Sequence, residues 1–113
     1  MREPRPGTVV WAWLDPTTGH EQGGNRPAVC VSSASYLRTV DFLMWAVPIT
    51  TVDRGWPNHI LLAGPNLALD QPCWAMTEQL RTISRDRVKA QAGAVDKACL
   101  RQIMWWITNF LAT

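Results

Sequence analysis

Gly7-Thr8-Val9-Val10-Trp11-Ala12-Trp13-Leu14, closed by Asp15-Pro16, is the stretch on which the fold class turns. β-Branched and aromatic residues favour an extended chain, and Asp-Pro is a turn signal, so residues 7–14 predict a first strand. Its alternate positions are apolar in both sets, which predicts burial on both faces. Residues 15–26 then form a polar loop in which Gly19, Gly23 and Gly24 allow backbone angles that other residues resist. Further out, residues 27–33 and 40–49 read as second and third strands, with a short helix or turn around Ser35-Tyr36-Leu37 between them. After a loop over 51–57, residues 58–63 suggest a fourth strand, and the turn Gly64-Pro65-Asn66 leads to a fifth at 73–83. Five short strands at this spacing predict a mainly β fold with some α, a small antiparallel barrel. Asp96 can cap a closing amphipathic helix in which Leu100, Ile103, Met104, Ile107, Phe110 and Leu111 recur at steps of three and four. Trp105 and Trp106 point about 100° apart on such a helix, so one lies off the apolar stripe and is a candidate contact with a second subunit.

Composition limits what such a chain can do. At 113 residues it has the size of one domain spanning 1–113, and 47% hydrophobic with 18% charged residues excludes a disordered tail, a collagen-like repeat or a coiled coil. A net charge of +2 excludes nucleic-acid binding by bulk charge, so any such site must be local. Charge is uneven: residues 1–77 sum to −1 and residues 78–113 to +3, the latter including Arg81, Arg85, Arg87 and Lys89. That is mild enough to be a solvated surface. Three cysteines, Cys30, Cys73 and Cys99, are an odd number far apart, which argues against a closed disulfide framework and for a reducing compartment. Nothing after Met1-Arg2-Glu3-Pro4-Arg5-Pro6 reads as a signal peptide and no window has the apolar length of a membrane span, so a cytoplasmic location is expected.

Several chemistries are disfavoured. No cysteine or histidine pair has zinc-ligand spacing, and His20 and His59 with scattered carboxylates make no metal cluster. Gly19 to Gly24 connects two strands rather than opening a helix, so no phosphate-cradling loop is present and no cofactor is expected. Cys30 falls mid-strand in apolar company, where a thiolate is disfavoured, and reads as core. What remains is His20, Glu21 and Arg26 in the first loop, Thr50 and Thr51 after the third strand, and Glu78, Gln79 and Arg81 in the fifth. Each alone has an ordinary structural explanation. Together they offer a cation for phosphate oxygens, an acid and base pair, and hydroxyl donors, the set that metal-free cleavage of an RNA phosphodiester requires.

Gly19-His20-Glu21-Gln22-Gly23-Gly24-Asn25-Arg26-Pro27, followed by Ala-Val-Cys-Val-Ser, resembles the signature loop of the MazF/PemK family of toxin endoribonucleases. Val47-Pro48-Ile49-Thr50-Thr51 and Glu78-Gln79-Leu80-Arg81-Thr82-Ile83 resemble two further family segments, in the right order along nearly the whole chain. The resemblance implies an SH3-like antiparallel barrel of the CcdB/PemK type with a C-terminal helix, a symmetric homodimer, and cleavage of single-stranded RNA without metal. It also implies a cognate MazE-like antitoxin whose flexible segment occupies the RNA groove. Carried over by position, the loop arginine falls on Arg26, the hydroxyl residue on Thr50, the acidic residue on Glu78 and the loop histidine on His20. Glu21, Gln22, Asn25, Thr51, Gln79 and Arg81 become candidate RNA contacts, with Trp56 as a stacking platform for a splayed base. Two positions depart: Met76 stands where some relatives have an arginine, and Thr8 where an acidic residue is frequent. Arg26 suits charge neutralisation because a guanidinium forks onto two oxygens, and proton transfer falls to His20 or Glu78. Two other readings share the fold: a CcdB-like gyrase poison, against which the His20 to Arg26 loop argues, and an SH3-like peptide-binding module without activity.

Overall fold

The computed structural model describes residues 3–14 and 24–112. β1 (Thr8–Leu14) runs antiparallel to β2 (Gly24–Cys30), with Val10 opposite Ala28 and Ala12 opposite Arg26. β2 continues onto β3 (Leu43–Thr50), and a six-residue helix α1 (Ala34–Thr39) bridges the two, capped by the Ser33 hydroxyl accepting from Tyr36 N–H. β3 serves two partners in succession. Its first half, Leu43 to Ala46, pairs β6 (Arg81–Ser84), and its end, Ile49 and Thr50, pairs β5 (Trp74–Met76). β5 also carries β4 (His59–Leu61), while β7 (Val88–Ala94) pairs the free edge of β1. Every pairing is antiparallel, and the hydrogen-bonded path β4-β5-β3-β2-β1-β7 has β6 branching from β3. Among the described residues no pairing joins the ends of that path, so the sheet is open.

Alternation along β1 builds two cores. Val9 packs with Val29, Val47 and Ile49 against α2 (Lys97–Leu111), whereas Val10, Ala12 and Leu14 pack with Ala28, Met44, Ala46 and Ile83 on the opposite face. A strand with period two feeds both layers only if both sets of positions are apolar, as the sequence of β1 demands. α2 begins where expected. Asp96 accepts a hydrogen bond from Cys99 N–H at 2.8 Å, and Cys99, Ile103 and Ile107 are the buried face. Trp106 packs partly into the core and Trp105 is exposed, as their angular separation requires.

Three expectations need correcting. Gly24, Asn25 and Arg26, read as the end of the loop over 15–26, already belong to β2. The single fifth strand over 73–83 is interrupted: residues Thr77–Gln79 form a 3-10 turn between β5 and β6, so the chain changes sheet partners there. β7 was not legible at all, because Val-Lys-Ala-Gln-Ala-Gly-Ala has one β-branched residue and a glycine. Pairing with β1 supplies what local preference lacks, with register shifts between Thr8 and Val10 and between Trp11 and Ala12. Cys30, Cys73 and Cys99 are all buried free thiols. Burial, only partly offset by the Ser32 backbone and the Arg85 charge, pushes the Cys30 thiol up to about 11, which fits its place in the core. No helix of the described residues is long and apolar enough to cross a membrane.

Candidate functional site

β2 and β3 run in a fixed register: Ala28 faces Pro48, Val29 faces Val47 and Cys30 faces Ala46. Arg26 lies two residues before Ala28 on β2 and Thr50 two residues after Pro48 on β3, both just past the paired end of these strands. Parity then decides where they point. Arg26 shares a strand face with the buried Ala28 and Cys30, and Thr50 shares one with the buried Ala46. Arg81 pairs with Ala46 and so joins them on the same face. The apolar side chains of this face end where these three begin, and there a groove of about 910 Å³ opens. Asn25, Arg26, Thr50, Thr51, Gln79 and Arg81 all line it.

Thr50 is prepared as a donor. Its Oγ1 accepts a hydrogen bond from Val52 N–H at 3.1 Å, which fixes the hydroxyl oxygen at the strand end and leaves its hydrogen to be donated into the groove. Among the described residues the groove's charged side chains are Arg26, Arg54, Arg81 and Asp70. Three guanidiniums against one carboxylate make it cationic in a chain of near-neutral charge, as a local polyanion site requires. Arg54 and Asp70 were missed in the sequence. Arg54 carried a usable signal, a cation four residues beyond Thr50 and two before Trp56; Asp70, in an irregular stretch, carried none.

Glu78 lies apart from this cluster. Its carboxylate does not line the groove; it meets His59 Nε2 at 3.0 and 3.1 Å and accepts from Asn58 Nδ2 at 2.8 Å. Thr77 Oγ1 donates to the Asn58 carbonyl at 2.8 Å, so two adjacent residues of the turn grip two adjacent residues at the start of β4. Partial burial works to raise the Glu78 pKa, yet the hydrogen bonds from His59, its own backbone and Asn58 outweigh it and hold the carboxyl below its usual range. A carboxyl depressed in the folded state stabilises the fold above the unfolded value of about 4.3, and that contribution is lost as pH falls through the folded value. Thermal melts taken from pH 7 down to pH 3 should therefore show a steeper acid limb for the natural protein than for Glu78→Gln; parallel limbs would refute the assignment.

Trp56 also lies outside the groove lining. Half exposed, its ring packs on His59 with centroids 4.7 Å apart, and the Arg54 guanidinium sits 6.0 Å over it. His20, Glu21 and Gln22 fall outside the described residues. No group of three or more histidine, cysteine, aspartate or glutamate side chains among the described residues could hold a metal ion.

The endoribonuclease toxin MazF of Escherichia coli K12 is 33% identical over 93 residues, 81% of this chain and 79% of its own length. A crystal structure of MazF from Deinococcus radiodurans superposes with a TM-score of 0.79 at 29% identity, covering 97% of both chains. MazF in a MazE–MazF complex from the same organism gives 0.75 at 28% identity, over 96% of this chain and 95% of that one. The family model describing PemK-like, MazF-like toxins of type II toxin–antitoxin systems matches residues 5–111. With residues 5–111, nearly its whole length, matched by that family model, this chain belongs to the PemK-like, MazF-like toxins.

Proposed function

We propose that this protein is the toxin of a type II toxin–antitoxin pair and cleaves single-stranded RNA without a metal ion, the ribose 2′-hydroxyl attacking the adjacent phosphorus. The convergence of Arg26, Thr50 and Arg81 on one face at the mouth of the groove carries this reading. As the 2′-oxygen attacks, negative charge grows on the phosphoryl oxygens. Arg26 meets that charge with a fork of two N–H donors, and the Thr50 hydroxyl adds a third. The products are a 2′,3′-cyclic phosphate and a free 5′-hydroxyl; DNA lacks the attacking group and is spared. Glu78 is occupied by His59 and Asn58, so proton transfer is assigned to His20 and a supporting role to Glu78. Asn25, Thr51, Gln79 and Arg81 contact the RNA inside the groove, Trp56 offers a stacking face beside Arg54, and Glu21 and Gln22, which fall outside the described residues, are assigned RNA contacts as well.

The finer architecture follows the same reading. The open sheet takes the arrangement of an SH3-like barrel, and residues 1–113 act as one toxin domain in the cytoplasm. Exposed Trp105, off the buried stripe of α2, supplies an apolar contact for a homodimer, and a MazE-like antitoxin, the kind of partner a relative's MazE–MazF complex contains, blocks the groove. A gyrase poison or a peptide-binding module has no use for three arginines around a strand-end hydroxyl. Purified protein incubated with a long single-stranded RNA in excess EDTA should leave fragments with 5′-hydroxyl ends; intact RNA would overturn the proposal.

A further inference from the structure

His59 is a buried polar residue with an odd set of partners. Its side chain is 2% exposed; Nε2 faces Glu78, and Nδ1 is buried with no hydrogen-bond partner among the described residues. Leaving a ring nitrogen unpaired costs free energy that an apolar side chain of similar volume would not incur. Strand pairing does not need it either. His59 opposite Met76, Ile60 opposite Ala75 and Leu61 opposite Trp74 already hold β4 on β5 through the backbone. What that ladder does not reach is the turn Thr77–Gln79 beyond β5, and Glu78 in that turn is where Nε2 points.

The two contacts of His59 lead to two segments of the groove lining. Through Glu78 it holds the turn that contributes Gln79 to the lining, with Arg81 just beyond. Through the ring contact with Trp56 it supports the residues around Arg54, which lines the same groove. We infer that His59 is a positioning residue of the RNA groove, joining the 51–57 loop to the Thr77–Gln79 turn so that Arg54, Gln79 and Arg81 stand at the spacing RNA binding requires. This rests on the function proposed above. Bound RNA gains from the spacing before and during reaction alike, so the effect falls on KM and not on kcat.

The test uses two variants, His59→Leu, which keeps volume and loses the donor, and His59→Gln, which returns an amide N–H toward Glu78. The substrate is a fluorescent oligoribonucleotide spanning one mapped cut, and the binding probe is the same sequence with a 2′-methoxy group at the cut nucleotide. His59→Leu should raise KM and the probe's Kd about tenfold with kcat within roughly threefold, and His59→Gln should recover most of that loss. Asn58→Ala, which removes one donor to Glu78 and leaves the Trp56 contact intact, should show a smaller rise of the same kind and serves if His59→Leu fails to fold. Unchanged KM and Kd in His59→Leu, or equal losses in His59→Leu and His59→Gln, would overturn the inference, as would a kcat loss above about 100-fold, which would put His59 in the chemistry. If the unaltered protein binds the probe and cuts nothing, the failure belongs to the nuclease reading, and the variants' Kd values still decide the role of His59.

Discussion

Arg26→Ala should leave the protein folded and lower RNA cleavage by roughly 10²- to 10⁴-fold or more, about 3 to 5 kcal/mol of barrier. Structural damage should be slight, because Arg26 is exposed and its place in the sheet is held by the backbone ladder to β1. The chemical damage comes from timing: charge on the phosphoryl oxygens is largest at the transition state, and a donor aimed there acts on the rate more than on binding. Arg26→Lys separates charge from geometry, since an ammonium keeps the positive charge and loses the two-pronged match to a phosphate. It should fall between the natural protein and Arg26→Ala. Single-turnover cleavage beside a thermal melt decides the matter; an alanine variant that melts normally and cuts at the natural rate removes Arg26 from the mechanism.

Gly93→Ala should have the largest effect on stability. Gly93 has φ +78, where a Cβ is disfavoured, and a Cβ built there would lie 1.8 Å from the Asn66 carbonyl oxygen and 3.0 Å from Ala68 N. The neighbour is backbone and cannot rotate away. It is also held in place, since Ala68 N–H donates to the Ala92 carbonyl and Ala94 N–H to that of Asn66. Positive φ and overpacking together should cost about 2 to 5 kcal/mol, a large part of a total stability of about 5 to 15 kcal/mol. Tm should drop by roughly 10 to 20 °C. Gly55→Ala is the matched control: its φ is +72 but nothing lies within 4 Å of the added carbon, so only the backbone cost applies and the drop should be much smaller. Equal shifts in the two variants would mean that the contact with Asn66 yields without cost. Because Leu69 and Asp70 line the groove a few residues after Asn66, Gly93→Ala should also weaken RNA binding below its Tm.

Period and punctuation made part of this protein legible from its residues alone. Apolar residues at both sets of alternate positions in 8–14 announced a strand that feeds both core layers, with only Trp13 among them exposed, Asp96 and the apolar steps after it announced α2, and three short segments carried the resemblance that named Arg26, Thr50 and Arg81. Such signals are local, because a strand's two faces and a helix's stripe are written in the order of neighbouring residues. The tertiary structure alone decided the rest. β7 is a strand because β1 offers an unpaired edge, not because Val88–Ala94 prefers to be extended. Glu78, read in sequence as a catalytic acid or base, turns from the groove because a 3-10 turn rotates it toward His59, 19 residues away. Arg54 joins Arg26 and Arg81 only when separate loops and strands meet at one groove. Pairing of edges and burial of a polar couple depend on what distant segments bring, and no run of adjacent residues records that.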